Sequence, residues 1–190
     1  MKIYLFSGSP NVDGLTAACC RAAEAGARKA GAEIVWINLN TMRVERCRAC
    51  GNGWGTCREE HVCTGIEDDF QKLHRQLQEA DGLIIVTPVY WGGLSETTAS
   101  FFERLRRCEA FKRHLPGNKQ SILHAKPAVA VAAAGGSGRG TVSCLVDLER
   151  LLNHLGADIF DLFAVSRRSR KYKLAAIEAC IAEMAAAGKK

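Results

Sequence analysis

Four cysteines stand within one short stretch of this chain, Cys47-Arg-Ala-Cys50-Gly-Asn-Gly-Trp-Gly-Thr-Cys57-Arg-Glu-Glu-His-Val-Cys63. Cys-x2-Cys is a good chelating start because two sulfurs can turn inward together, and the intervening glycines let Cys47, Cys50, Cys57 and Cys63 converge on one centre. Such a loop holds either a structural zinc or an iron–sulfur cluster. Free, partly buried thiols acting as small hydrophobes would give the same composition. His61 is a conceivable substitute ligand, but the pattern reads it as an exposed loop residue. A second chemistry lies in Ser7-Gly8-Ser9-Pro10-Asn11-Val12-Asp13-Gly14-Leu15-Thr16. Small hydroxyl residues and glycines just before a helix form an anion cradle, because backbone N–H groups and the positive end of the helix dipole point at the loop. A third is Thr87-Pro88-Val89-Tyr90-Trp91-Gly92-Gly93. Its glycines let backbone approach a ligand, and Tyr90 and Trp91 offer flat faces to a planar ring, unless they are ordinary packing aromatics at a strand end. A phosphate on one loop and a ring on another describe a mononucleotide site.

These loops need a scaffold, and the chain alternates strand and helix patterns. Strands are expected at 3–6, 33–39, 82–87, 128–134 and 159–165. Helices are expected at 15–30, 95–107, 141–155 and 174–187, with Phe101, Phe102 and Leu105 on one apolar face. Five strands alternating with helices imply an α/β fold with a parallel sheet covered on both faces. The order 2-1-3-4-5 places the loops after strands one, three and four around the point where the order reverses. The reading is one domain over 1–190, with a cysteine-rich insertion at about 45–66. Gly135-Gly136-Ser137-Gly138-Arg139-Gly140 follows a late strand, and its spacing does not match a dinucleotide fingerprint. It is expected to close over one edge of the ring.

Composition narrows the classes. With 190 residues, 47% of them hydrophobic and 24% charged, the chain can bury a two-sided core. Its longest apolar stretch, Pro127–Ala134, is far too short to cross a bilayer. No charged and apolar leader pattern is visible, so no membrane attachment and a cytoplasmic location are expected. Nine cysteines, an odd number, argue for reduced thiols or metal ligation. Cys19, Cys20, Cys108, Cys144 and Cys180 fall in expected helices and read as small core residues. The net charge of +6 centres on Arg167-Arg168-Ser169-Arg170-Lys171-Tyr172-Lys173, read as a solvated loop or as a patch for an anionic partner. No nucleic-acid-binding signature accompanies it, so no nucleic-acid partner is expected.

The first loop, the Pro88-Val89-Tyr90-Trp91-Gly92 turn and the four cysteines leading into Ile66-Glu67-Asp68-Asp69-Phe70 together resemble the NADPH-dependent FMN reductases, nearest the branch containing iron–sulfur flavoproteins. The resemblance covers nearly the whole chain. It implies a flavodoxin-like three-layer sandwich, noncovalent FMN, NAD(P)H as co-substrate and a homodimer or homotetramer. Electrons would pass from NAD(P)H or a protein donor to a small acceptor such as a quinone or flavin. It further implies that Ser9, Asn11, Leu15 and Thr16 surround the FMN phosphate, that Pro88, Val89, Tyr90, Trp91, Gly92, Gly135 and Gly136 contact the ring system, and that no side chain is catalytic. Cys47, Cys50, Cys57 and Cys63 would hold a 4Fe-4S cluster in preference to zinc. Two departures stand out. Asn11 and Leu15 replace a basic residue and an asparagine of many members, which shifts phosphate binding toward backbone N–H groups and Thr16. Gly53 occupies the place of the third cysteine in the compact cluster pattern. A flavodoxin-type electron carrier, or a scaffold that binds zinc or senses oxidation through its thiols, remains an alternative.

Overall fold

The computed structural model describes residues 1–115, 117 and 119–188. Side chains of the first strand alternate in direction, and that alternation separates the two cores. In β1 (Lys2–Ser7), Tyr4 and Phe6 enter one core while Ile3 and Leu5 enter the other. β3 (Gly82–Pro88) and β4 (Pro127–Ala134) sit centrally and are buried almost throughout, as parallel strands covered on both faces must be. β2 (Glu33–Asn38) and β5 (Asp158–Ser166) form the edges and carry exposed residues. All neighbours pair in parallel, in the order β2-β1-β3-β4-β5 read from the sequence.

α1 (Leu15–Lys29) and α5 (Arg170–Ala187) cover one face with Cys19, Cys20, Ala23, Ile177, Ile181 and Met184. α2 (Phe70–Gln76), α3 (Glu96–Glu109) and α4 (Thr141–His154) cover the other. There the small Ala128, Ala130 and Ala132 of β4 share the core with Phe101, Phe102 and Leu148. Phe6 stacks on Phe101 with ring centroids 5.0 Å apart. Burial pushes the thiols of Cys19, Cys20 and Cys144 up to about 12, so these are core residues as expected. Cys180 is only half-buried.

The chain leaves β1 toward β2 and leaves β3 toward β4, so the loops after these neighbouring strands diverge and open a crevice at their carboxyl ends. α2 is not among the helices expected from the sequence, and the start of the last helix moves. α5 begins at Arg170, so Arg170, Lys171 and Lys173 form its first turn instead of lying in a loop. Cations at a helix start oppose its dipole, which masks the helix in the sequence. Burial of Ile177, Ile181 and Met184 further along supplies the stabilisation.

Candidate functional site

The first loop is pinned to the sheet by its glycine: the Gly8 N–H donates to Val86 O at 2.9 Å. Ser9 is buried, and its Oγ accepts from the Asn11 N–H at 3.2 Å, while Asn11 itself is exposed at the rim. α1 then starts from Gly14, which offers no capping side chain, and its first turn holds no acidic residue. The first N–H groups of any helix lack intrahelical partners, so this end presents donors and a positive dipole end to the loop. Thr16 lies buried in that first turn. Leu15 packs against the core on the α1 and α5 face, which leaves only its main chain to meet an anion.

The segment after β3 closes into a tight turn. Tyr90 N–H donates to Gly93 O at 3.1 Å and Gly93 N–H to Tyr90 O at 2.9 Å, with Trp91 at φ 52° and Gly92 at φ 77°. Two left-handed central residues define a turn that favours Asn-Gly, so a bulky Trp91 in the first position is strained. Its indole is fully exposed, and packing within the chain does not compensate. Tyr90 is also exposed, Pro88 is buried at the strand end, and Val89 N–H extends the sheet to Ala133 O at 3.1 Å. Pro10, Asn40, Val89, Tyr90, Trp91 and Thr97 are among the residues lining a cleft of about 650 Å³ between the loops after β1, β2 and β3.

Beneath the cleft lies a hydroxyl cluster that sequence reading missed. Ser95 N–H donates to Thr87 Oγ1 at 3.1 Å, Ser95 Oγ and Thr98 Oγ1 are 2.9 Å apart, and all three residues are buried. A side chain at Gly8 would collide with Thr98 Oγ1, so the first loop and the start of α3 interlock there. The glycines after β4 divide their work differently from expectation. Gly135 and Gly136 are exposed beside open space, and like Ser9, Asn11, Leu15, Thr16, Pro88 and Gly92 they are not among the residues lining the cleft. Gly140, at φ 80°, is the one pressed against the turn: a Cβ on it would lie 2.6 Å from Gly92 Cα. Ser143 Oγ donates to Gly92 O at 2.7 Å and fastens α4 to the same turn.

The cysteine insertion docks on α3 away from the cleft. Thr97 lines the cleft and Arg104 the cysteine pocket, seven residues apart along the helix, so the two regions are separated by roughly 10 Å along its axis. Cys47, Cys50, Cys57 and Cys63 line one small, largely apolar pocket of about 20 Å³ together with Arg104 and Arg107. Ala49 N–H donates to Cys47 Sγ at 3.4 Å, and a Cβ at Gly65 would lie 2.5 Å from Cys50 Sγ, so that glycine makes room for the thiol. Among the described residues, no three His, Cys, Asp or Glu side chains stand where one metal ion could be held.

At the base of the insertion Asp68 accepts from Glu45 N–H at 2.8 Å and from Arg104 Nη1 at 2.6 Å, both Asp68 and Arg104 side chains being fully buried. Burial alone would raise the Asp68 pKa, yet these hydrogen bonds hold it below the ordinary value. His61 corrects an expectation: it is buried, its Nδ1 lies 3.2 Å from Cys108 O, and its Nε2 has no protein partner. Docking of the loop onto α3 covers it, which local sequence does not show.

A family model described as NADPH-dependent FMN reductase matches residues 1–187. An iron–sulfur flavoprotein of Methanocaldococcus jannaschii is 34% identical over 106 residues, 56% of this chain and 52% of that protein. One of Methanosarcina thermophila is 32% identical over 104 residues, 55% of this chain and 52% of that protein. The chain thus spans about half the length of the curated relatives it matches. Among solved structures, a flavone reductase aligns over 100% of this chain and 64% of its own, with a TM-score of 0.71 at 21% identity. That likeness supports the flavodoxin-like fold set by the strand order. The match over nearly the full length, joined to the paired loops at the strand ends, establishes that the chain belongs to the NADPH-dependent FMN reductase family.

Proposed function

We propose that this chain is an FMN-dependent oxidoreductase that takes electrons from NAD(P)H or a protein donor and delivers them to a small acceptor such as a quinone or flavin. The observation that carries this reading is the pairing of an uncapped helix start on one side of the crevice with an exposed, strained aromatic turn on the other. FMN, when bound, supplies the hydride-accepting and electron-donating chemistry. The protein's part is to bind and orient. Ser9, Thr16 and the first-turn N–H groups of α1 would hold the phosphate, with Asn11 at the rim and Leu15 contributing main chain. Pro88, Val89, Tyr90, Trp91 and Gly92 would flank the ring, and Gly135 and Gly136 leave room at its far edge. Gly140 and Ser143 keep the turn in place. The cleft is large enough for a cofactor, since ligand sites run to about 300–1,000 Å³.

The insertion fits a thiolate-ligated group. Its donor set is four sulfurs around an apolar cavity without a lining carboxylate, which suits soft metal centres. The preference for a 4Fe-4S cluster over zinc rests on the likeness to iron–sulfur flavoproteins, with four thiols lining one pocket as its donor set. Cys47, Cys50, Cys57 and Cys63 would hold it. This pocket favours a second reading, an iron–sulfur flavoprotein that carries electrons without a small-molecule substrate of its own. We place the protein in the cytoplasm as a homodimer or homotetramer; among the described residues no helix is long and apolar enough to cross a membrane.

Anaerobic purification with quantification of FMN, iron and sulfide, followed by NADPH and NADH oxidation with a quinone, tests the proposal. Bound FMN with nicotinamide turnover supports the reductase. Flavin and iron without turnover support the carrier. Protein that cannot be reconstituted with FMN overturns both.

A further inference from the structure

Arg104 is the largest fully buried side chain, and it stands on the apolar face of α3 with Phe101, Leu105 and Cys108. Its guanidinium touches both ends of the cysteine insertion. Nη1 donates to Asp68 Oδ2 at 2.6 Å and to Glu45 O at 3.1 Å; Nη2 donates to Cys63 Sγ at 3.4 Å and to Ile66 O at 3.5 Å. The plane also lies 4.3 Å from the Phe70 ring centroid. Nε has no protein partner. One turn further along, Arg107 donates from Nη1 to Gly53 O at 2.7 Å and lies 4.8 Å from the Trp54 ring, so it grips the tip of the same insertion.

Both guanidinium groups line the cysteine cavity, and no carboxylate does. Asp68 balances Arg104 from outside the cavity and Glu103 balances Arg107. Within the cavity wall, the sulfurs are therefore the groups that can answer positive charge. A cation and an N–H donor beside a thiolate favour extra negative charge on whatever the thiolate ligates, and hydrogen bonds to sulfur and local charge are the levers that set cluster potentials.

We infer that Arg104, assisted by Arg107, is a positioning residue that sets the reduction potential of the centre held by Cys47, Cys50, Cys57 and Cys63, through its N–H contact to Cys63 Sγ. The inference rests on the iron–sulfur reading above. Arg104 also ties the two ends of the insertion together, so structural and electrostatic roles must be separated by a property that packing alone does not set.

The test uses the full chain, prepared anaerobically as wild type, Arg104→Lys, Arg104→Gln and Arg107→Gln, with iron and sulfide counted and the midpoint followed by dithionite titration under EPR. The expected result is a midpoint shifted to more negative potential in Arg104→Gln, a smaller shift in the charge-keeping Arg104→Lys, and a shift of the same sign in Arg107→Gln. An unchanged midpoint in the loaded variants overturns the inference while leaving the cluster reading intact. Should Arg104→Gln fail to fold or to retain iron, an unshifted midpoint in Arg107→Gln overturns it equally. Wild type that holds flavin but no iron removes the cluster reading, and this inference falls with it.

Discussion

The cleft and the cysteine pocket are built by opposite strategies. Around the cleft, backbone does most of the positioning: the Gly8 N–H on Val86, the Val89 N–H on Ala133 and the Gly92–Gly140 contact hang short loops on strands that the sheet already fixes. Around the pocket, a long excursion is tied down by side chains, chiefly Arg104 and Arg107 on α3 and Asp68 at the base of the insertion. Strand ends thus give a rigid edge on which a ligand can be oriented through main-chain groups. An insertion without strands must draw its rigidity from buried charge.

The sharpest way to break this contrast is Asp68→Asn, which leaves Arg104 buried without its counter-charge. We expect a loss of about 3–5 kcal/mol in denaturant unfolding. In protein kept folded in the cold, FMN affinity should be unchanged; a parallel fall in flavin binding would show that the two regions are one unit. Cys47→Ser and Cys50→Ser should abolish metal binding without unfolding the sheet, because both residues lie outside the two cores. Iron analysis and circular dichroism read the two halves of that statement.

On the cleft side, Gly140→Ala would place a Cβ 2.6 Å from Gly92 Cα at a residue with φ 80°. It should weaken FMN binding roughly tenfold, the equivalent of about 1.4 kcal/mol, in a fluorescence titration. Trp91→Asn should split stability from binding. A left-handed conformation costs a bulky residue about 1–2 kcal/mol and suits asparagine, so the melting temperature should rise while flavin affinity falls. A variant that binds flavin as wild type does would exclude Trp91 from the site.

The smallest effect concerns acid. Burial would raise the pKa of Glu109, yet His74, Lys112 and the Ile122 N–H hold it below its ordinary 4.5, and Asp68 is likewise held below 3.8. A carboxylate depressed in the folded state contributes stability that is fully present above its unfolded value and is lost as pH falls through its folded value. Stability should therefore be level with respect to these groups near neutrality and decline below about pH 4.5. Glu109→Gln should flatten that decline, because its carboxylate no longer takes up a proton.

Much of this contrast was legible in advance on one side only. The apolar run Ile3-Tyr4-Leu5-Phe6, the Gly8 to Thr16 loop and the Pro88 to Gly92 turn carry their conformations in local residue types. Arg104 left a trace that went unread: a charged residue at helical spacing with Phe101, Leu105 and Cys108 lies on a core-facing stripe and calls for a buried partner. His61 left none, because its burial depends on a loop docking against Cys108, and Gly140 presses on a glycine 48 positions away.

The amino-acid order by itself determined the five strands, every sheet-covering helix but α2, and the glycine- and hydroxyl-rich turns, since periodicity and backbone freedom are properties of neighbours along the chain. Tertiary structure decided which turns share a cleft, that Gly140 rather than Gly135 or Gly136 braces the Trp91 turn, and that Arg104 joins Asp68 beneath the four thiols. Those contacts pair residues tens of positions apart, and only the packing of α3 and α4 on the sheet brings their charges and backbones within reach.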